Sequence, residues 1–215
     1  MGEVELQDNG MLVLHAKIIL YGNAASEGLS VAVAADIEQH WNMPEASVRI
    51  SDSWYSIIFK MYGTFAPGLK DIDVYENTDP RKNFFRVEEY ASGNISFVDG
   101  INSNTGYFKL DNLINNSTTA AHEFGHTIGL EHPENLDIRG EGVPSMMYPR
   151  GTITDPVYQY DRTALPLQPG GTMNPFYRKV LLKDIIDLKL DALEFKNGKS
   201  ILGDFSSVWH DAHIQ

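Results

Sequence analysis

The 215-residue chain contains no cysteine. Disulfides, thiolate metal clusters and a cysteine nucleophile are thereby excluded, and any metal must be held by His, Asp or Glu. Positive charge is scarce as well: 17 Lys and Arg against 29 Asp and Glu give a formal charge of −12. That sign repels phosphate backbones, so nucleic acid is not an expected partner. No apolar run approaches the roughly 20 residues that span a bilayer. The opening MGEVELQDNG is polar and acidic, without the basic-then-apolar order of a secretory leader. Neither the missing cysteine nor the missing leader decides the compartment; the expectation is an extracellular or secreted protein, present here as a mature form or an excised domain.

What is present is a 42% apolar composition, enough for the core of one domain of this length. MLVLHAKIILYG (11–22) is branched and apolar and reads as a strand. Leu29, Val33, Ile37 and Trp41 recur every fourth residue, which predicts a helix ending near Asn42, ahead of Pro44. ASVRISD and SWYSIIFKMYG read as strands, followed by a turn-rich stretch from Gly63 to Pro80. FFRVEEY, GNISFVD and TGYFKLD give three short strand candidates. A helical pattern runs from Ser117 to about Gly129, with Asn116 or Ser117 placed to cap it. Leu130 to Met173 has no periodicity. From Asn174-Pro175 to Asn197-Gly198 a Leu182, Ile186, Leu190, Leu193 stripe predicts a long C-terminal helix. The sum is α+β, a mixed sheet with helices across it.

Three of the seven histidines fall within eleven residues, in HEFGHTIGLEH (122–132). On a helix, residues four apart share a face, so His122 and His126 can aim two ring nitrogens at one point. A continuing helix would carry His132 roughly 240° round and about 9 Å further along, out of reach. Gly129 lies between them and is the residue type that ends a helix in a left-handed turn. With that turn His132 becomes a third ligand. Three neutral imidazoles leave one tetrahedral position of a zinc ion for water, and Glu123 stands beside the first ligand as a general base. A His-x-x-x-His pair alone is ordinary helix decoration; the glutamate, glycine and third histidine at these spacings are what carry the chemistry.

HEFGHTIGLEH resembles the metzincin pattern H-E-x-x-H-x-x-G-x-x-H at every fixed position. PSMMYPRG (144–151) resembles the methionine turn of that family, and its MYP form is similar to the matrixin, or matrix metalloproteinase-like, branch. The resemblance implies a metzincin-like fold: residues 1–129 an N-terminal subdomain with twisted mixed sheet, backing helix and zinc helix, and residues 130–215 an irregular C-terminal subdomain ending in a helix. It implies that Met147 packs beneath the ligands, with Met146 as its rival. GNISFVDG or TGYFKLDN would supply the edge strand for an antiparallel peptide. Tyr148, Pro149, Arg150 and Gly151 would wall the pocket for the residue after the cut bond.

The implied activity is zinc endopeptidase: hydrolysis of peptide or protein substrates by a zinc-bound water, with Glu123 as base and then acid. The alternative is an effector or toxin domain that keeps the scaffold and acts by binding a partner or inhibitor protein. Without cysteine, the cysteine-switch latency of many matrixins is absent. Where astacins and serralysins carry a tyrosine, Pro149 stands, so Tyr148, Tyr158 and Tyr160 are the nearby oxyanion candidates, each of a type that ordinarily just packs. Asp99, Asn102, Asn104 and Asp111 could build a calcium site, although such residues in loops ordinarily mark turns. His15, His40, His210 and His213 lack ligand partners at useful spacing and read as structural or exposed.

Overall fold

Met11–Tyr21 is the axis of the fold, because its branched apolar residues suit a strand buried on both faces. The structure, a computed structural model, describes residues 1–114 and 117–214. In chain order its strands are β1 (Gly2–Leu6), β2 (Met11–Tyr21), β3 (Ser47–Ile50), β4 (Ser53–Phe65), β5 (Lys82–Glu88), β6 (Phe97–Val98), β7 (Thr105–Lys109) and β8 (Lys199–Leu202). The α-helices are α1 (Glu27–Asn42), α2 (Asp71–Tyr75), α3 (Thr119–Thr127) and α4 (Leu182–Asp187). The fold is α+β, built on a curled mixed sheet of order β3-β4-β2-β5-β7-β6. β4 runs parallel along one side of β2. The other side is shared: β1 pairs antiparallel with its first half and β5 parallel with its second. β8 pairs antiparallel with β1.

Helix α1 begins where the Ser26 hydroxyl accepts from the Leu29 amide at 3.2 Å. It buries Val33, Ala34, Ile37 and Trp41 against the sheet. Gly63 permits this close approach, since a Cβ there would collide with the Ser30 carbonyl of α1. Past the pairing with β3, the outer edge of β4 is completed by helix side chains: the Phe59 amide donates to Asn42 Oδ1 (2.9 Å) and the Met61 amide to Glu38 Oε2 (2.8 Å). These bonds satisfy strand groups that burial would otherwise leave unpaired. Trp41 joins α1 to α3, its indole N–H donating to the Ala121 carbonyl at 3.0 Å while its ring packs on Phe59 and Phe124.

Several sequence expectations are corrected. The long C-terminal helix does not form. Asn174 and Pro175 start only a 3-10 turn (Pro175–Tyr177), α4 spans six residues, and Lys189 at φ 51° breaks the run before a second turn at Leu190–Ala192. Leu182 and Ile186 of the supposed stripe are 54% and 65% exposed, while Ile185, Leu188 and Leu190 are buried. The last regular element is β8, which returns residues 199–202 to the sheet of the first subdomain. The opening ten residues contribute β1, although they read only as polar. β4 runs past Gly63 to Phe65, and the turn-rich stretch contains α2. Only Phe97–Val98 of GNISFVD is strand, with a 3-10 turn at Ser92–Asn94. β6, not β7, is the sheet edge. The helix expected over 117–129 spans Thr119–Thr127; the Ser117 hydroxyl accepts from the Thr119 amide at 3.1 Å, whereas Asn116 lies outside the described residues.

Candidate metal centre

Helix α3 stops at the foreseen glycine, and the way it stops builds the site. Gly129 has φ 104°; its amide donates to the His126 carbonyl (3.1 Å) and the Leu130 amide to the Gly125 carbonyl (2.9 Å). This pair of bonds is a Schellman turn. The chain reverses and carries His132 back over the helix. The Nε2 atoms of His122 and His132 are then 3.1 Å apart, as are those of His126 and His132. Bonds of about 2.0–2.1 Å from a tetrahedral ion would set its nitrogens roughly 3.3 Å apart, so the spacing suits one ion. The three side chains form a group able to hold a metal ion, the one such group of three or more among the described residues.

The far side of each helical ring is fixed by a carbonyl. His122 Nδ1 lies 2.7 Å from the Met146 oxygen and His126 Nδ1 2.7 Å from the Leu130 oxygen. A carbonyl only accepts, so each Nδ1 carries the hydrogen and each Nε2 presents a lone pair inward. The Schellman turn thus both redirects the chain and orients the second ligand. Met147 lies under the helix: a Cβ at Gly125 would strike its sulfur and come within 3.1 Å of Trp41. Met146 supplies its carbonyl to His122 instead, which separates the roles of the two methionines.

Burial lowers the pKa of all three imidazoles, with the Arg178 charge adding to the effect, and takes His132 down to about 4 from an ordinary 6.5. Above that range they are neutral, as metal ligands must be. In the metal-free protein the unfolded chain takes up protons below about pH 6.5 that the folded chain refuses. The histidines' share of the stability is therefore complete above pH 6.5 and is lost as pH falls towards 4. Buried Glu123 acts in the opposite sense, its share being lost as pH rises from 4.5 through about 8. Thermal melts of metal-free Glu123→Gln protein will therefore show the histidine slope, weakened when His132→Asn is added.

Glu123 follows the first ligand, and burial pushes its carboxyl up to about 8, partly offset by Arg178 and the Val98 amide. Two hollows meet at His122, Glu123 and His132. One, about 330 Å³, is bounded by Phe97, Val98 and Ile101 at the β6 edge. The other, about 260 Å³, is bounded by Thr119, Pro149, Arg150 and Arg178. Of the expected pocket wall, Pro149 and Arg150 line this hollow. Tyr148 stands behind it, its carbonyl accepting from Arg178 Nη1 at 3.0 Å, and Gly151 turns away at φ 90°. Tyr148, Tyr158 and Tyr160 line neither hollow; Tyr158 packs on Tyr177.

Arg178 is the residue that sequence reasoning missed. It is 5% exposed, reaches Thr118 Oγ1 through Nε and Nη2 (3.1 and 2.9 Å), and sets Nη1 3.0 Å from His122 Nδ1. No spacing rule links it to a motif 56 residues earlier. Three of the four calcium candidates are otherwise engaged. Asp99 pairs with His210 at 2.9 Å, the Asn104 carbonyl oxygen accepts from the Ser206 amide, and Asp111 holds Lys109. His15 and His40 sit beside Glu5 and Asp36, and His213 stacks on Tyr107.

No protein-family model matches the chain, and no curated protein does.

Gly129→Ala provides a local test of the turn. A side chain would be forced to φ 104° with its Cβ 2.7 Å from Asn102 Oδ1. The substitution is expected to cost about 1–3 kcal/mol in chemical denaturation of the metal-free protein, and to weaken metal binding because His132 is displaced.

Proposed function

We propose that the chain is a zinc-dependent endopeptidase of the metzincin kind, nearest the matrixin branch. The observation that carries this reading is the convergence of three neutral imidazoles beside a buried glutamate, at the junction of two hollows bordered by a sheet edge. His122, His126 and His132 would hold the ion. Three imidazoles without thiolates suit zinc, and zinc would supply Lewis acidity and an acidified water.

The chain's own residues do the rest. Val98 of β6 and Glu123 line the same hollow, so an extended peptide pairing with the edge of β6 would pass beside that carboxylate. Glu123 takes a proton from the attacking water and later gives it to the amine released as the C–N bond breaks. A carboxyl raised towards neutrality can do both. A scaffold that only bound partners would have no use for a carboxylate buried at such a desolvation cost, which favours the enzyme over the effector reading.

The test is metal analysis joined to peptide-library cleavage. Roughly one zinc per chain is expected, with cleavage stopped by chelator and restored by zinc. Zinc-loaded protein that cuts no peptide would favour the binding reading instead.

A further inference from the structure

The hollow on the Pro149 side holds more positive charge than a folding role requires. Arg178 forms its floor and the exposed Arg150 its rim, and Glu123 is the sole carboxylate among the residues that line it. Among the described residues neither arginine has a carboxylate within 4.0 Å, although the chain carries 29 acidic residues. Arg86, another shielded arginine, shows the ordinary solution: it is paired with Glu88 at 2.6 Å. Glu123 acts on Arg178 only from beyond 4.0 Å, so the buried guanidinium is incompletely compensated, and its cost is relieved when a second carboxylate arrives. Hydrogen bonds to Thr118 and Tyr148 anchor Arg178 but do not neutralise it. Thr119, the opening residue of α3, lines the same hollow, so the positive end of the helix dipole adds to the field there. The hollow at β6 has the opposite character, with Ile95, Phe97, Val98 and Ile101 and no cationic side chain.

We propose that the hollow formed by Pro149, Arg150 and Arg178 is a carboxylate subsite, so that the preferred substrates are peptides with glutamate or aspartate immediately after the cut bond. This rests on the endopeptidase reading, which sets the leaving-amine side of the substrate against residues 148–151. Thr118 takes the Nε–Nη2 fork of Arg178 and the Tyr148 carbonyl a hydrogen of Nη1, so Arg178 supplies fixed positive charge at the shielded floor while the exposed Arg150 presents its own fork to the incoming carboxylate. Overall the chain, at −12, repels acidic peptides. The pocket therefore selects at one position rather than for acidic peptides in general.

The test uses zinc-loaded full chain and matched peptides that differ only at the residue after the cut bond. Glutamate is expected to exceed glutamine, and aspartate asparagine, by about tenfold to a hundredfold in kcat/KM, with the advantage shrinking at high salt. Arg150→Glu should bring the Glu/Gln ratio close to one. Arg178→Lys, which keeps the charge but loses the planar fork and its bonds to Thr118 and Tyr148, should lower the ratio less. Zinc-dependent cleavage with equal rates for glutamate and glutamine, or a ratio unmoved by both variants, would overturn the subsite and leave the endopeptidase reading standing. Absence of zinc-dependent cleavage of any peptide would overturn both.

Discussion

Replacing Glu123 by glutamine is expected to lower kcat/KM for peptide hydrolysis by about 10²–10⁴-fold while zinc content is unchanged. Glutamine keeps the size and hydrogen-bonding reach of the side chain but cannot accept a proton from water or return one to an amine. The metal should remain, because the ligand rings are oriented by the Met146 and Leu130 carbonyls and not by Glu123. The fold should not suffer either. Burial already disfavours the charged carboxylate, raising it to about 8, so a neutral side chain relieves a desolvation cost instead of creating one. Equal zinc content and a melting temperature no lower than wild type beside lost turnover would isolate the proton-transfer role. Wild-type turnover in this variant would remove Glu123 from the mechanism.

His126→Ala is expected to have the second large effect, on the metal itself. His126 is the second imidazole of the helix, with its Nε2 3.1 Å from that of His132. Its loss leaves two imidazoles and also removes the hydrogen-bond partner of the Leu130 carbonyl, which lies just past the turn that returns His132. Changing a residue that merely orients a ligand costs about 10–100-fold in metal affinity, and loss of the ligand itself should exceed that. Competitive zinc titration should find affinity reduced beyond about 100-fold, with peptidase activity lost in parallel. Unaltered affinity in His126→Ala would show that the three rings do not act as one site.

The centre was legible in the sequence because its rules are local. His122, Glu123, His126, Gly129 and His132 occupy eleven consecutive positions, and helix geometry plus one left-handed residue fixes where their side chains go. Met147 was legible only through resemblance, and its separation from Met146 needed the contact with Gly125. Arg178 was not legible, since the fold brings it to His122 from a stretch that read as helix. That helix illustrates how a pattern misleads. Leu182 and Ile186 have helical spacing yet point outward, because the buried Asp184 accepts from Ser145 Oγ (2.5 Å) and the Leu181 amide (2.8 Å), fixing which face of α4 turns inward. Lys189 then adopts a left-handed conformation that no side-chain periodicity signals. β1 and β8 were missed for a related reason: each is short, and each is a strand through partners distant in the chain, β1 between β2 and β8 and β8 beside β1.

The pairing of those two short strands also bears on how the chain reaches its native state. Glu3 must find Ile201, a closure spanning almost the whole polypeptide, whereas the three imidazoles are gathered within a single helix and turn. Loop entropy makes such a distant contact slow to form. Refolding should therefore proceed in two stages, with ion capture by the nascent histidine loop preceding the final zipping of amino-terminal to carboxy-terminal strand.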